Sequence, residues 1–166
     1  DFAGGLGRRV ALLAGTSVDV LERVYEERLE LSPGATELLN AAQKEGLYRL
    51  LVSGGFDFFT KRLKERLNLN AEYANTLGLV NGRLTGRLSG PIIDASGKAR
   101  AVSEALNTLD ADPKEAIIVG DGANDLQMMD GAGASVAYHA KQLVKASAMC
   151  SISFGPLNTL IDYYDS

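Results

Sequence analysis

Short continuous apolar runs alternate along this chain with stretches of three-to-four-residue spacing, and the alternation predicts most of its elements. Residues 3–14 and 17–29 carry helical spacing, with Gly15-Thr16-Ser17 between them as a break and a cap. Leu31-Ser32-Pro33-Gly34 marks a boundary, and a helix over about 35–44 follows, closed by Gly46. Residues 47–52 read as a strand from which Ser53-Gly54-Gly55 turns into a helix over about 56–67, a βα unit. Between 71 and 90, Tyr73, Leu77, Leu79, Val80, Leu84 and Leu88 lie among turn signals, the strongest being Asn81-Gly82; short strands and a hairpin are expected. A helix near 98–110 is ended by Asp112-Pro113, and a strand over 116–120 opens a second βα unit. A short buried strand over 134–137, a helix around 141–146, a strand near 149–152 and a final helix after Pro156 complete the pattern. Strands alternating with helices imply an α/β fold, and continuous apolar strands suit a parallel sheet covered by helices on both faces. The first thirty residues read as a separate helical element.

Composition narrows the classes. The 166 residues suffice for one ordinary domain with a small appendage, and 46% hydrophobic residues allow a sizeable core. A net charge of −4 argues against an electrostatic nucleic-acid binder. One cysteine, Cys150, excludes an intrachain disulfide and a cysteine-rich zinc site, and reads as a small core residue. No apolar run reaches the roughly 20 residues that span a bilayer, and no signal peptide is visible. The expectation is a cytoplasmic protein that engages neither membrane nor nucleic acid.

The most informative stretch is EAIIVGDGANDLQMM, residues 115–129. Its apolar half reads as a strand, and Asp121, Gly122, Asn124 and Asp125 follow at the exit. Ligands of open α/β sheets bind beyond the carboxyl ends of the strands. Two carboxylates, an amide and a flexible glycine there suit a magnesium ion and a phosphate, because magnesium takes oxygen ligands and usually only one or two carboxylates. Asp121 is the candidate metal ligand, and Asp125, four residues on, can orient the same site. Manganese is an alternative to magnesium. Helix capping by Asp121 or Asn124 is the competing structural explanation. Ser53-Gly54-Gly55 offers a hydroxyl and close backbone approach at an expected helix N-terminus, which suits an anion. Lys98, expected at the start of a helix, has a charge that could neutralise phosphate, although most such lysines are solvated. His139, the sole histidine, fits a structural role better than general-base catalysis, and Phe56, Phe58 and Phe59 fit a core.

Taken together, a serine after one strand, a lysine at a later helix and GDGxND after another strand resemble the haloacid dehalogenase (HAD) superfamily of phosphohydrolases. Within it, SGGFDFF at 53–59, NGRLTG at 81–86, GDGANDLQMM at 120–129 and AYHAK at 137–141 look like the phosphoserine phosphatase family. DFAGGLGRRVALLAG at 1–15 resembles that family's substrate-covering helical cap. The resemblance implies a HAD-like Rossmannoid sheet over 31–166, with 1–30 as part of a small helical cap. It also implies magnesium-dependent hydrolysis of a small phosphomonoester, L-phosphoserine, through an aspartyl-phosphate.

By the same resemblance Phe2 and Arg9 hold the substrate, with Arg8 a competitor for the role of Arg9. Ser53, Gly54 and Asn124 hold phosphate oxygens, Lys98 binds both phosphate and nucleophile, Asp125 supports catalysis, and Asp121 ligates magnesium. Other HAD phosphatases or phosphotransferases, and an inactive phosphate-binding module, are the alternatives. The family's DxDx(T/V) nucleophile motif does not occur in this sequence. The chain is accordingly expected to be the C-terminal part of a longer enzyme, with a core lacking its first strand and no activity of its own.

Overall fold

The apolar spacing at the start of the chain becomes helix packing. In the computed structural model, which describes residues 1–165 apart from the Tyr164 side chain, α1 (Phe2–Ala11) and α2 (Val18–Glu27) bury Leu6, Val10 and Leu21. Ser17 caps α2 as expected, its hydroxyl accepting from the Asp19 amide at 3.3 Å. The elements after them are α3 (Ala35–Lys44), β1 (Leu50–Phe56), α4 (Asp57–Arg66), β2 (Ala71–Val80), β3 (Arg83–Ser89) and α5 (Ala95–Leu109). β4 (Ile117–Gly120), α6 (Leu126–Met129), β5 (Ala134–Tyr138), α7 (Gln142–Ser147), β6 (Cys150–Ile152) and α8 (Thr159–Asp165) complete the order. This is an α/β fold with parallel strands and flanking helices. No helix among the described residues is long and apolar enough to cross a membrane.

Two compact units emerge, each built from discontinuous segments: residues 1–30 with 48–94, and 31–47 with 95–166. In the first, the sheet order is β1-β2-β3. β2 runs parallel to β1 in its first half, Leu50 opposite Ala71, and antiparallel to β3 in its second, Val80 opposite Arg83. Asn81 and Gly82 make the tight hairpin, both at positive φ, as an asparagine-glycine pair permits. The linker between α1 and α2 lies along β3: Gly15 and Thr16 exchange backbone hydrogen bonds with Leu84, and Ser17 forms a bridge with Arg83. Leu6, Val10, Leu21, Phe58, Leu77 and Leu84 therefore form one core, with Phe56 and Phe59 against it, as expected for those aromatics. Arg62 ties α4 to α2 by an ion pair with Glu22 and lies over the Phe58 ring.

The second unit holds a parallel sheet in the order β4-β5-β6. Ile118, Met128, Met129, Ala132, Ala137 and Val144 form its core. His139 is exposed at the end of β5, stacked on Tyr138, with Nε2 2.8 Å from the Gly155 carbonyl oxygen. That is a structural tether, as its setting in the sequence suggested. Cys150 is half-buried in β6.

Three local expectations need correction. Ser53-Gly54-Gly55 does not turn out of the strand; it lies inside β1, which continues to Phe56, and Phe56 occupies the N-cap of α4. Paired glycines suit a turn, but an irregular strand also accommodates them. α5 begins at Ala95, so Lys98 sits within its first turn rather than at its start. Residues 71–80 form one ten-residue strand rather than short pieces, because β2 serves two partners in succession.

Candidate functional site

β4 ends at Gly120, and the chain then makes a tight 3-10 turn over Ala123–Asp125 before α6. The turn is organised by Asp125, which is 4% exposed and whose side chain turns back under the strand end. Its Oδ2 accepts from the Asp121 amide at 3.0 Å and from the Gly122 amide at 3.1 Å. Its Oδ1 accepts from Lys98 Nζ at 2.7 Å. A carboxylate has about four lone-pair positions, so three donors leave it nearly satisfied. Lys98 is buried as well, at 7% exposure, so it is not a solvated surface lysine. Two opposite charges out of water are tolerable because each has a partner and the carboxylate has two further donors.

The glycine before Asp121 has a steric cause. A Cβ at Gly120 would stand 2.6 Å from both Cβ and Oδ2 of Asp125, so no other residue lets that carboxylate lie so close to the strand. Capping by Asp121 or Asn124 is not what the turn uses; Asp125 supplies the acceptor, which leaves the Asp121 side chain exposed at the strand's exit. Asn124 is half-buried, and its Oδ1 crowds the space beside Gly122, where a Cβ would meet it at 2.6 Å. The arrangement thus presents one exposed carboxylate, one adjacent amide and a buried ammonium–carboxylate pair behind them. An oxygen-rich, partly open set of this kind fits magnesium, which keeps several waters and takes phosphate oxygens as further ligands. Asp125 has its oxygens committed to the backbone and to Lys98, so it orients the turn.

The other predicted residues lie in the first unit. Ser53 Oγ accepts from the Gly55 amide at 3.0 Å, and the carbonyl of Gly54 receives the Asn75 side-chain amide at 2.9 Å. Phe2 is next to this segment, since a Cβ at Gly54 would lie 3.5 Å from its Cζ and 3.6 Å from the Ile93 carbonyl oxygen. Those are ordinary contact distances, so the fold itself has room for alanine at 54. Gly54→Ala is expected to leave the unfolding free energy within about 1 kcal/mol of the parent while weakening inhibition of the full-length protein by inorganic phosphate; unchanged inhibition would show that no anion approaches this backbone. Arg9 is exposed on α1 and its Nε folds back toward the Gly5 carbonyl at 3.4 Å; Arg8 is exposed too, so both remain candidates. Beside this segment, Lys61 pairs with Asp57 at 2.9 Å, and the hydrogen bond it donates to that carboxylate holds the Lys61 ammonium above its usual pKa.

The residue that sequence reasoning missed is Asn75, 1% exposed in β2. Its signal was an amide in an otherwise suitable strand, AEYANTLGLV, where asparagine is disfavoured.

Residues 7–130 match the profile of the haloacid dehalogenase-like hydrolase family, and the chain belongs to that family. It is 45% identical over 166 residues to the phosphoserine phosphatase of Polaromonas sp., covering 98% of this chain and 70% of that protein. It is 47% identical over 152 residues to the phosphoserine phosphatase of Archaeoglobus fulgidus, covering 92% of this chain and 44% of the relative. The unliganded crystal structure of a probable phosphoserine phosphatase from Vibrio cholerae superposes with a TM-score of 0.93 at 38% identity, over 97% of this chain and 50% of that one. The chain therefore spans from 44% to 70% of the length of these proteins.

Proposed function

We propose that this chain carries the phosphate- and metal-binding part of a magnesium-dependent phosphomonoester hydrolase whose substrate is L-phosphoserine. The observation that carries the reading is the buried Lys98–Asp125 pair clamped to the Gly120-Asp121-Gly122 turn. Such a pair costs desolvation, and a charge-stabilising role at the adjacent exposed carboxylate gives it a purpose that packing alone would not. The names of relatives at 45% and 47% identity supply the substrate.

In this reading Asp121 ligates magnesium, which would neutralise phosphate charge. Asn124, Ser53 and the Gly54 backbone donate to phosphate oxygens. Lys98 binds the phosphate and the nucleophile, and Asp125 fixes both Lys98 and the metal-bearing turn. Phe2 and Arg9 hold the amino-acid end of the substrate, Arg9 as a bidentate partner for its carboxylate. Residues 1–30 serve as part of the helical cap over a HAD-like core. The attacking aspartate and the general acid/base come from residues outside these 166, since DxDx(T/V) is not among them.

The test compares two polypeptides, one restricted to these residues and one that adds a DxDx(T/V) strand. Phosphate release from phosphoserine is expected only from the second, and only with magnesium. Enzymes accelerate phosphomonoester hydrolysis up to about 10²¹-fold, far beyond what binding groups without a nucleophile supply. Comparable turnover by the shorter polypeptide, or none by the longer one on phosphoserine within a panel of phosphomonoesters, overturns the proposal.

A further inference from the structure

Asn75 has no place in the chemistry described above, yet it is among the most buried polar residues described, at 1% exposure. Its position explains why. β1 and β2 pair in regular parallel register from Leu50↔Ala71 to Val52↔Tyr73, then resume at Phe56↔Asn75. Three residues of β1, Ser53, Gly54 and Gly55, thus face the single residue Ala74. The ladder is broken where Ser53 and Gly54 must be held. A break of this kind leaves backbone groups without strand partners, and buried ones must find others.

Asn75 supplies them from both ends of its side chain. Nδ2 donates to the Gly54 carbonyl at 2.9 Å, and Oδ1 accepts from the Ile93 amide at 2.8 Å. The Gly54 carbonyl belongs to the same peptide plane as the Gly55 N–H, and that N–H donates to Ser53 Oγ at 3.0 Å. Fixing one side of a planar peptide fixes the other. Ser53 Oγ, with an acceptor position already filled by Gly55, has its own O–H proton left to donate.

We infer that Asn75 is a positioning residue: through the Gly54–Gly55 peptide it sets the Ser53 hydroxyl as a donor toward a phosphate oxygen. This rests on the reading of Ser53 and Gly54 as phosphate-binding groups. Neither a glycine-rich strand nor a serine alone would hold this orientation, because glycine peptides rotate readily.

The experiment uses the full-length protein with phosphoserine as substrate and inorganic phosphate as inhibitor. Asn75→Asp keeps the size and the acceptor for Ile93 but loses the donor to Gly54. It is expected to raise KM and the phosphate inhibition constant together by roughly tenfold, about the worth of one hydrogen bond, with a smaller change in kcat. Asn75→Ser, which removes both contacts and adds no charge, is expected to do the same should the aspartate variant fold poorly. Leu77→Ala, at a buried position on the same strand, serves as the control: it lowers the melting temperature without raising either constant.

Adding Asn75→Asp to Ser53→Ala is expected to cost little beyond Ser53→Ala alone, because both act on one hydroxyl. Asparagine variants that match Leu77→Ala in profile, or whose effects add in full to Ser53→Ala, overturn the inference. A parent protein that neither hydrolyses phosphoserine nor binds phosphate overturns instead the functional reading beneath it.

Discussion

Asp125→Ala is expected to destabilise the second unit by about 3–5 kcal/mol, the usual consequence of removing one member of a buried pair. The loss has two sources. Lys98, 7% exposed, is left charged without its partner at 2.7 Å. The Asp121 and Gly122 amides lose their shared acceptor, and the turn that presents Asp121 loses its shape. Lys98→Ala removes only the first contact and leaves those amides paired, so it is expected to cost less than Asp125→Ala. Lys98→Met, which refills the volume, is expected to recover part of the loss in stability and none in activity. Urea unfolding measures the first and phosphate release from the full-length protein the second. Equal stability of parent and Asp125→Ala would mean the pair is solvated, contrary to its burial.

Gly133→Ala is the second large effect. A Cβ at this position would overlap the Lys114 carbonyl oxygen, and backbone cannot step aside as a flexible side chain can. Gly133 also donates to the Pro113 carbonyl at 3.1 Å, and Ala134 to that of Ala116 at 3.1 Å, which starts the β4–β5 ladder. One methyl group therefore pushes apart the two strands at their point of entry. Overpacking of a rigid contact costs about 3 kcal/mol, at the upper end of the common range. Gly131→Ala, two residues earlier, makes a useful contrast: its Cβ meets nothing within 4 Å, and its cost comes only from a positive φ of 78°. Thermal melts of both variants decide the point; a larger drop for Gly131→Ala would show that β5 relaxes around the methyl.

Much of the fold was legible because it is written in local periodicity. The helix over Ala35–Lys44 and the strand over Ile117–Gly120 follow from apolar spacing, and the hairpin from Asn81-Gly82. What escaped depends on contacts between distant residues. Whether Ser53-Gly54-Gly55 turns or stays extended is decided by Asn75 and by β2 alongside, and neither is implied by the triplet itself. Lys98 stood out only through the family resemblance; taken alone it could equally be a solvated lysine, because its partner lies 27 positions further on. The chemistry around Asp121 was legible, including Asp121 as the ligand and Asp125 as the residue that orients the turn; the means were not, since only the geometry shows that Asp125 does so by accepting from the Asp121 and Gly122 amides and from Lys98.

β2 changes partners midway, and the two halves differ in what their closure demands. The β2–β3 half meets across a hairpin tip, Val80 against Arg83, whereas the β1–β2 half must bring Leu50 to Ala71 around the whole of α4. The longer loop forfeits more chain entropy before any pairing repays it. Asn75 stands at the seam, so the glycine segment is secured by the closure that forfeits more chain entropy. The stretch proposed to meet the ligand is thus held by a long-range pairing rather than by the hairpin beside it.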